Sequence, residues 1–301
     1  MTYELSQGAF MMKRIFILPL TISLAIVFTA CGKPSDDEIK QLLEKSKENL
    51  VFVEGGTFMM GDGGATYIDQ NGVNNQTDAW TGYDDNKPAH KVTLDSYHIQ
   101  KYEVTWAEFD TFSKATGLPL RDSDLLGKGL RAPIIPAGVG TWYNAKAYCQ
   151  WLAKESSLPY DLPTEAQWEY AARSRGRADV LYATDSGWLK EGWNFGASYK
   201  GLPLSTPKPV GLHPPNPLGI YDMMGNVAEF VEDWYDPKYY AKSPRQNPKG
   251  PDSGDEKVNR GGSVIGSPEY DTVYSRAKSI PDKDGHAFHG VRCVLNVQKG
   301  M

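Results

Sequence analysis

The chain has 301 residues, of which 40% are hydrophobic, and its formal net charge is -5. This length and apolar content allow a sizeable core and exclude a largely disordered chain. The mild negative charge, with no large basic cluster, argues against a nucleic-acid-binding protein. The eight Trp and 17 Tyr, together with 30 Gly and 20 Pro, predict a loop-rich fold whose core is built on large rings.

Residues 1–30 are predicted to be an export signal. Translation is expected to start at Met11 or Met12, which are followed by two basic residues and then by an apolar run over residues 15–28. A basic segment followed by such a run is typical of a secretory signal peptide. The run is short for a membrane span. The chain is therefore expected to leave the cytoplasm.

The cysteine after this run indicates a lipid anchor. The sequence Phe-Thr-Ala directly before Cys31 resembles the cleavage site of bacterial lipoproteins. That resemblance implies a lipidated Cys31, and Gly32 after it implies attachment to the outer membrane, facing the periplasm. An ordinary secretory signal with an incidental cysteine is the alternative. Residues 31–49 are then a charged tether, interpreted as a spacer, in which Ser35 or Asp36 caps a short helix.

Alternating hydrophobicity predicts strands in the first part of the domain. Residues 51–60 are predicted as two strands separated by a Gly-Gly turn, and residues 88–103 contain further strands. Residues 61–86 are rich in Gly and Asp without a period, which predicts a surface loop. Acidic residues of this loop such as Asp62 are a possible Ca²⁺ site, but they lack the spacing of an EF-hand, so a solvated loop is favoured.

Three helices are predicted next. Thr105 followed by Glu108 has the pattern of a capping box ahead of a helix over residues 106–116. Apolar residues at three- and four-residue spacing predict a helix over residues 142–155. A second Thr-x-x-Gln pattern precedes a helix over residues 166–173.

Residues 218–236 combine a polar turn with an aromatic segment that is predicted to be a helix. Asp222, Gly225, Asn226 and Glu229 surround the turn. Carboxylates and backbone carbonyls this close in sequence suit a hard cation such as Ca²⁺. A polar turn that serves as a helix cap is the alternative.

Ordered motifs along most of the chain resemble the formylglycine-generating enzyme (sulfatase-modifying factor) family. In order they read VEGGTFMMG, KYEVT, NAKAYC, LPTEAQWEYAAR, PPN, GIYDMMGNVAE, RGGS and GVRC. The domain is placed at residues 50–298. The resemblance implies an α+β, C-type-lectin-like fold with little regular secondary structure and long packed loops. Such a fold accounts for residues 176–217, which show almost no regular pattern.

The resemblance also implies structural Ca²⁺. The ligands of one site are two side-chain oxygens and two backbone carbonyls, from Asp222, Glu229, Gly225 and Val227. A second family site matches Asn194 and the carbonyl of Phe195, but its partner loop is shortened here, so one ion is expected.

A disulfide is the third implication of the resemblance. Cys149 and Cys293 match a pair that is bonded in some relatives. Because Cys31 is assigned to the lipid, these two cysteines are left to pair in an exported protein. Two separate buried thiols are the alternative.

The family's catalytic cysteines are missing. Its enzymes bind Cu(I) through two cysteines shortly after the Gly-Gly-Ser motif and use O₂ to oxidise a substrate cysteine. Alignment on Gly261-Gly262-Ser263 places Gly266 and Asp271 at those two positions. Cu(I) needs soft thiolate ligands. Neither copper nor formylglycine synthesis is therefore expected, and the chain is interpreted as a pseudoenzyme.

The leading prediction is a non-catalytic, lipid-anchored periplasmic protein that binds a protein partner. Relatives without the cysteine pair resemble immunity proteins of type VI secretion loci, which implies a toxic effector as the partner. The predicted contact loops are residues 61–86, 118–140 and 267–289.

Two alternatives from other classes remain. One is a non-haem metal-dependent oxidase or maturation factor for an exported protein. It would use residues of the closing stretch, namely Asp271, Arg276, His286 and His289. The other is an envelope structural or carbohydrate-binding protein.

Overall fold

The computed structural model describes residues 32–64, 66–68, 74–76, 79–121, 130–196, 205–267, 270–283 and 288–296. A compact unit begins at Lys33. The predicted export signal, Cys31 and His286 lie outside the described residues. Among the helices of the described part, none is long and apolar enough to cross a membrane.

The described ranges contain helices and short strands. The helices are α1 Asp36–Glu48, α2 Trp106–Thr116, α3 Trp142–Ser156 and α4 Glu165–Ala172, with a 3-10 turn at Tyr239–Ala241. The strands are β1 Leu50–Val53, β2 Gly56–Met60, β3 Thr66–Ile68, β4 Asn74–Gln76, β5 His90–Leu94, β6 Tyr97–Gln100, β7 Tyr160–Asp161, β8 Ala228–Trp234, β9 Lys257–Arg260, β10 Ala277–Ser279, β11 His289–Gly290 and β12 Val294–Asn296.

The described strands form two four-stranded sheets and two two-stranded sheets. One sheet has the order β1-β6-β12-β7, and its neighbours are antiparallel. The other has the order β10-β9-β8-β11, in which β8 and β11 run parallel. β2 pairs with β5, and β3 with β4. Both large sheets join segments that are far apart in the sequence, so the loops are fixed at many points.

The helices predicted over residues 106–116, 142–155 and 166–173 are present, with their N-terminal caps. The N–H of Thr105 donates to Glu108 Oε2 at 2.7 Å, and Thr164 and Gln167 form the same reciprocal pair at α4. α2 ends at Gly117, whose φ of 77° is accessible to glycine at little cost. The local capping patterns therefore marked the helix starts correctly.

α1 is capped by Ser35 as predicted, but it is not a free spacer. Its apolar face, with Leu42 buried, packs against α2 and α3. Lys45 Nζ lies 3.0 Å from Glu108 Oε1 on α2. The interpretation of residues 31–49 as a tether outside the domain is corrected accordingly. The helix buries apolar side chains, which a solvated spacer would leave exposed.

Two further corrections concern the loop after β2 and the segment around Phe230. Residues 61–86 contain the β3–β4 pair, and the carboxylate of Asp62 accepts hydrogen bonds from the N–H groups of Trp80 and Thr81, so it holds the loop rather than an ion. The aromatic segment after Glu229 is strand β8, not a helix. Phe230 and Trp234 are four residues apart, a spacing that fits one helical turn and equally two strand repeats.

Cys149 and Cys293 form the disulfide that the resemblance implied, with a Cα–Cα distance of 5.7 Å. Both are fully buried in the part of the core that lies beneath α1, α2 and α3. The alternative of two separate thiols is wrong. The bond ties the middle of α3 to the residue just before β12.

A buried ion network holds α4 to β9. Arg260 donates to Glu165 Oε1 at 2.8 Å and to Glu169 Oε2 at 3.1 Å, and all three side chains are almost completely buried. Arg173 pairs with Glu169, and Arg276 with Glu165. Burial alone would raise the pKa of Glu165, but Arg276 and Arg260 outweigh it and leave that pKa lowered. Glu165 is therefore a charged part of the scaffold.

Candidate functional site

A cleft of about 380 Å³ opens where four loop segments meet. Its volume lies in the range of small-ligand and side-chain pockets. The lining comes from residues 191–196, 205–213, 222–226 and 263–266 and from Asp271. Both predicted ion turns and both positions of the missing cysteine pair therefore reach one cavity.

The carboxyl of Asp271 lies beside two glycines in this cleft. A Cβ on Gly262 would collide with it, and a Cβ on Gly266 would lie 3.0 Å from its Oδ2. Gly262 has a φ of 68°, a conformation that favours glycine. Burial raises the pKa of Asp271 to about 7. The resemblance matched Gly266 and Asp271 to the family's cysteine pair, and in the structure the carboxyl of Asp271 fills the space beside Gly266.

Three buried carboxyls meet behind the turn at Asp222. Glu229 receives two hydrogen bonds on Oε1 from the Arg292 guanidinium, at 2.7 and 3.0 Å. Its Oε2 receives two more, from Trp168 Nε1 at 2.7 Å and from Arg292 Nε at 3.1 Å. Glu103 accepts from Asn226 Nδ2 at 2.6 Å and from the N–H of the next residue at 3.1 Å. Sequence reasoning missed Glu103, because a single carboxylate after a strand carries no signal until the fold brings the turn to it.

This cluster contains more carboxyl groups than positively charged groups. Burial first, and then Asp222 and Glu229, raise the pKa of Glu103 well above its usual range. Burial also raises the pKa of Asp222 to about 6, although Arg292 acts to lower it. Three carboxyls therefore face one guanidinium in a region of low dielectric.

The cluster partly fits the predicted Ca²⁺ ligand set. Asp222 accepts one hydrogen bond, from the N–H of Gly211 to Oδ2 at 2.6 Å, and burial disfavours its charged form, which a cation would stabilise. Glu229 fits less well, because Arg292 and Trp168 already occupy both of its oxygens. Within the described ranges no three His, Cys, Asp or Glu side chains are placed to hold an ion by themselves. Backbone carbonyls, as at Gly225 and Val227, would have to complete the ligand set.

Asn194 and Phe195, the second implied ion site, stabilise their own loop. Asn194 Oδ1 accepts from the N–H of Lys190 at 2.7 Å, and its Nδ2 donates to Asp185 Oδ1 at 2.8 Å. The carbonyl of Phe195 accepts from the N–H of Gly192 at 2.9 Å. The oxygens that were candidate ligands therefore already accept hydrogen bonds within the loop.

The residues of the alternative metal site are not brought together. The Arg276 guanidinium binds Glu165 at 2.7 Å in the buried network, and a fixed cation there repels a metal ion. His289 lies on β11 with its ring 5.1 Å from that of Phe230, and it does not line the cleft that holds Asp271. The position of His286 is outside the described residues.

Large side chains are exposed next to the cleft-lining residues. Trp193, Ile265 and Tyr270 are 53%, 58% and 59% exposed, and each adjoins a lining residue in the sequence. Trp193 is held in place, because its Nε1 donates to Asp185 Oδ2 at 2.9 Å. Among the described residues of the three predicted contact loops, Asp271, in the loop 267–289, is the one that lines the cleft. The segment 191–213 was missed, since it shows no periodicity.

Known proteins match this chain along most of its length. The family profile described as a sulfatase-modifying factor enzyme 1-like domain matches residues 36–297. A formylglycine-generating enzyme of Streptomyces coelicolor is 32% identical, over 83% of this chain and 90% of that protein. The match begins at residue 36, so it includes α1.

Solved structures share the fold. PvdO from Pseudomonas aeruginosa superposes with a TM-score of 0.65 and 27% identity, over 82% of this chain and 94% of that one. Treponema denticola variable protein 1 superposes with a TM-score of 0.62 and 23% identity, over 82% and 94% of the two chains. The predicted α+β, C-type-lectin-like fold is confirmed.

Proposed function

Because the chain belongs to the family of sulfatase-modifying factor enzyme 1-like domains, we propose that it is a non-catalytic member that binds and neutralises a toxic protein. The single observation that supports this is the chemistry of the cleft. Gly266 and Asp271, which the sequence resemblance matches to the family's copper-binding cysteines, both line the cavity. Of the three cysteines, two form the disulfide and the third is Cys31. A cleft without thiolates suits binding rather than copper chemistry.

The proposal includes a place in the cell. The predicted signal and the cysteine after it support export and a lipid on Cys31, with attachment to the outer membrane on the periplasmic side. A partner that acts in the periplasm, such as an effector of type VI secretion, would meet the protein there. Rigid scaffolds with long loops commonly present binding surfaces in this way.

We also propose one structural Ca²⁺ at the turn that carries Asp222, supported by the excess of buried carboxyls. Removing calcium with EDTA should lower the unfolding free energy by about 3 kcal/mol relative to a Ca²⁺ concentration 100-fold above Kd. Thermal unfolding of the purified protein measures this. Asp222→Ala should abolish the calcium response, whereas Asn194→Ala should keep it. An EDTA-treated protein that unfolds at the same temperature with and without added Ca²⁺ would disprove the site.

The proposed function is tested by competition between sibling cells. A strain that lacks this gene should lose viability when mixed with wild-type cells that fire their secretion system, and a plasmid copy should restore it. Attackers without a functional secretion system serve as the control. Purified protein should also co-elute with the effector in a stable complex. Equal survival of the deletion strain and the wild type would contradict the proposal.

A further inference from the structure

The cleft carries more negative than positive charge. Outside the proposed Ca²⁺ turn, the described lining holds the carboxyls of Glu191 and Asp271 against the ammonium of Lys208, and it also includes His213. The Lys208 ammonium is turned to its own loop, where it donates to the carbonyl and hydroxyl of Thr206 at 2.6 and 3.0 Å. An unbound cleft of this composition favours a cationic ligand.

Asp271 is a half-buried carboxyl of this cleft. Burial is the one cause of its raised pKa, with no contribution from a hydrogen bond or a neighbouring charge. In the part of the chain that the structure describes, no group donates a hydrogen bond to it. A half-buried carboxylate of this kind gains more from an incoming cation than one that is already paired.

The surroundings of Asp271 suit a long side chain with an apolar stem. Tyr270, next to Asp271 in the sequence, and Ile265, next to the lining residue Gly266, are exposed. Met224 and Leu212 add apolar surface to the lining. Trp193 adds a fixed indole on the loop of residues 191–196. Lysine and arginine carry methylene stems that cover apolar surface while the charged head pairs elsewhere. Fixed aromatic residues around a pocket are typical of the energetic centre of an interface.

We propose that the cleft receives a lysine or arginine side chain of the protein partner, with its charged head paired to the Asp271 carboxylate and its stem against the apolar lining. The inference rests on the proposed function for the statement that the occupant belongs to a protein. In this proposal the carboxylate of Asp271, which the resemblance matches to a family cysteine, selects the partner by its negative charge. A partner loop with a protruding basic residue is the occupant that this charge and shape select.

Blocked pentapeptides test the proposal on the full-length chain. Gly-Gly-Lys-Gly-Gly and Gly-Gly-Arg-Gly-Gly should bind, and the peptide with norleucine at the centre should not, as followed by NMR titration. Asp271→Asn keeps the shape and removes the charge, and it should weaken binding by at least about tenfold. Asp252→Asn, at an exposed carboxyl outside the cleft lining, is the matched control and should leave binding unchanged.

The pH dependence of peptide binding distinguishes charge pairing with Asp271 from a structural effect of its substitution. Because the raised pKa of Asp271 is about 7, its carboxyl is neutral at pH 5.5 and charged at pH 8.5, so peptide affinity should rise with pH between these values. Glu191, Lys208, His213 and Asp222 also face the cleft, and a His213→Gln variant removes the one histidine among them. The rise should persist in His213→Gln and disappear in Asp271→Asn.

Several results would overturn the inference. They are equal binding of the norleucine peptide, unchanged binding by Asp271→Asn, or no binding of either basic peptide. Such results leave the proposed function standing if the deletion strain is still sensitive to attack. Conversely, a basic peptide that binds through Asp271, in a protein whose deletion leaves survival unchanged, contradicts the proposed function and not the chemistry of the cleft.

Discussion

Replacement of Arg292 by methionine is expected to lower the unfolding free energy by about 3–5 kcal/mol, the usual cost of breaking a buried ion pair from one side. The Arg292 side chain is completely buried and pairs with Glu229 at 2.7 Å. It also donates to the carbonyls of Gln100 at 2.9 Å and Tyr221 at 2.7 Å. Methionine removes these donors, so Glu229 keeps only its hydrogen bond from Trp168, and Glu103 and Asp222 lose a positive charge that lowers their pKa. Urea denaturation, read as a lower midpoint with an unchanged slope, measures the loss.

A surface arginine provides the control for this variant. Arg177 makes two hydrogen bonds to Asp179, at 2.6 and 3.0 Å, but both side chains are about half exposed. Arg177→Met should therefore cost no more than about 1 kcal/mol. Adding Glu229→Gln to Arg292→Met should recover part of the loss, since one buried charge is removed and Trp168 keeps an acceptor. Equal losses in the two arginine variants would show that burial does not set the energetics of this cluster.

Loss of the disulfide has the second large expected effect. Cys149 and Cys293 are 144 residues apart in the sequence. Cross-linking so long a loop reduces the entropy of the unfolded chain, by an amount equivalent to about 5 kcal/mol in the chain-entropy argument and about 2–5 kcal/mol in practice. The double variant Cys149→Ala/Cys293→Ala should lose stability in this range. Replacing both residues avoids an unpaired thiol that could exchange with other cysteines.

Reducing agent separates the bond from the packing around it. Dithiothreitol should destabilise the wild-type protein by nearly as much as the double variant and should leave the variant unaffected. Because both sulfurs are buried, reduction should require partial unfolding and proceed slowly under native conditions. A wild-type protein that unfolds at the same urea concentration with and without reductant would refute the assigned stabilisation.

Local sequence patterns predicted the helices well and the site poorly. The residues of a capping box lie within four positions of each other, so the starts of α2 and α4 could be predicted from Thr105 and Thr164. The segment at Phe230 was misread, because a four-residue repeat fits both a helix and a strand. Its pairing with β9 and β11, which decides the matter, joins residues far away in the sequence.

The ordered motifs predicted the family and the disulfide correctly, because both predictions rest on resemblance to known proteins rather than on local helix or strand propensity. The side-chain contacts that hold the turn next to the cleft could be predicted neither from the resemblance nor from local propensity. Glu103, Lys208 and Asn226 come from three separate loops, and their contacts arise only when the chain is folded. α1 was treated as a spacer because its charged residues dominate its composition. Its buried face is visible in the spacing of Ile39, Leu42 and Leu43.

The position of β12 imposes an order on the folding of this chain. β12 lies between β6 and β7, so the sheet has a gap until residues 294–296 are available. A chain that lacks residues 294–296 cannot close that sheet, and one that lacks Cys293 cannot form the disulfide. Folding is therefore completed only after residues 293–296 are available, and contacts between such distant segments form slowly. During that interval the edges of β6 and β7 remain open for pairing with other chains.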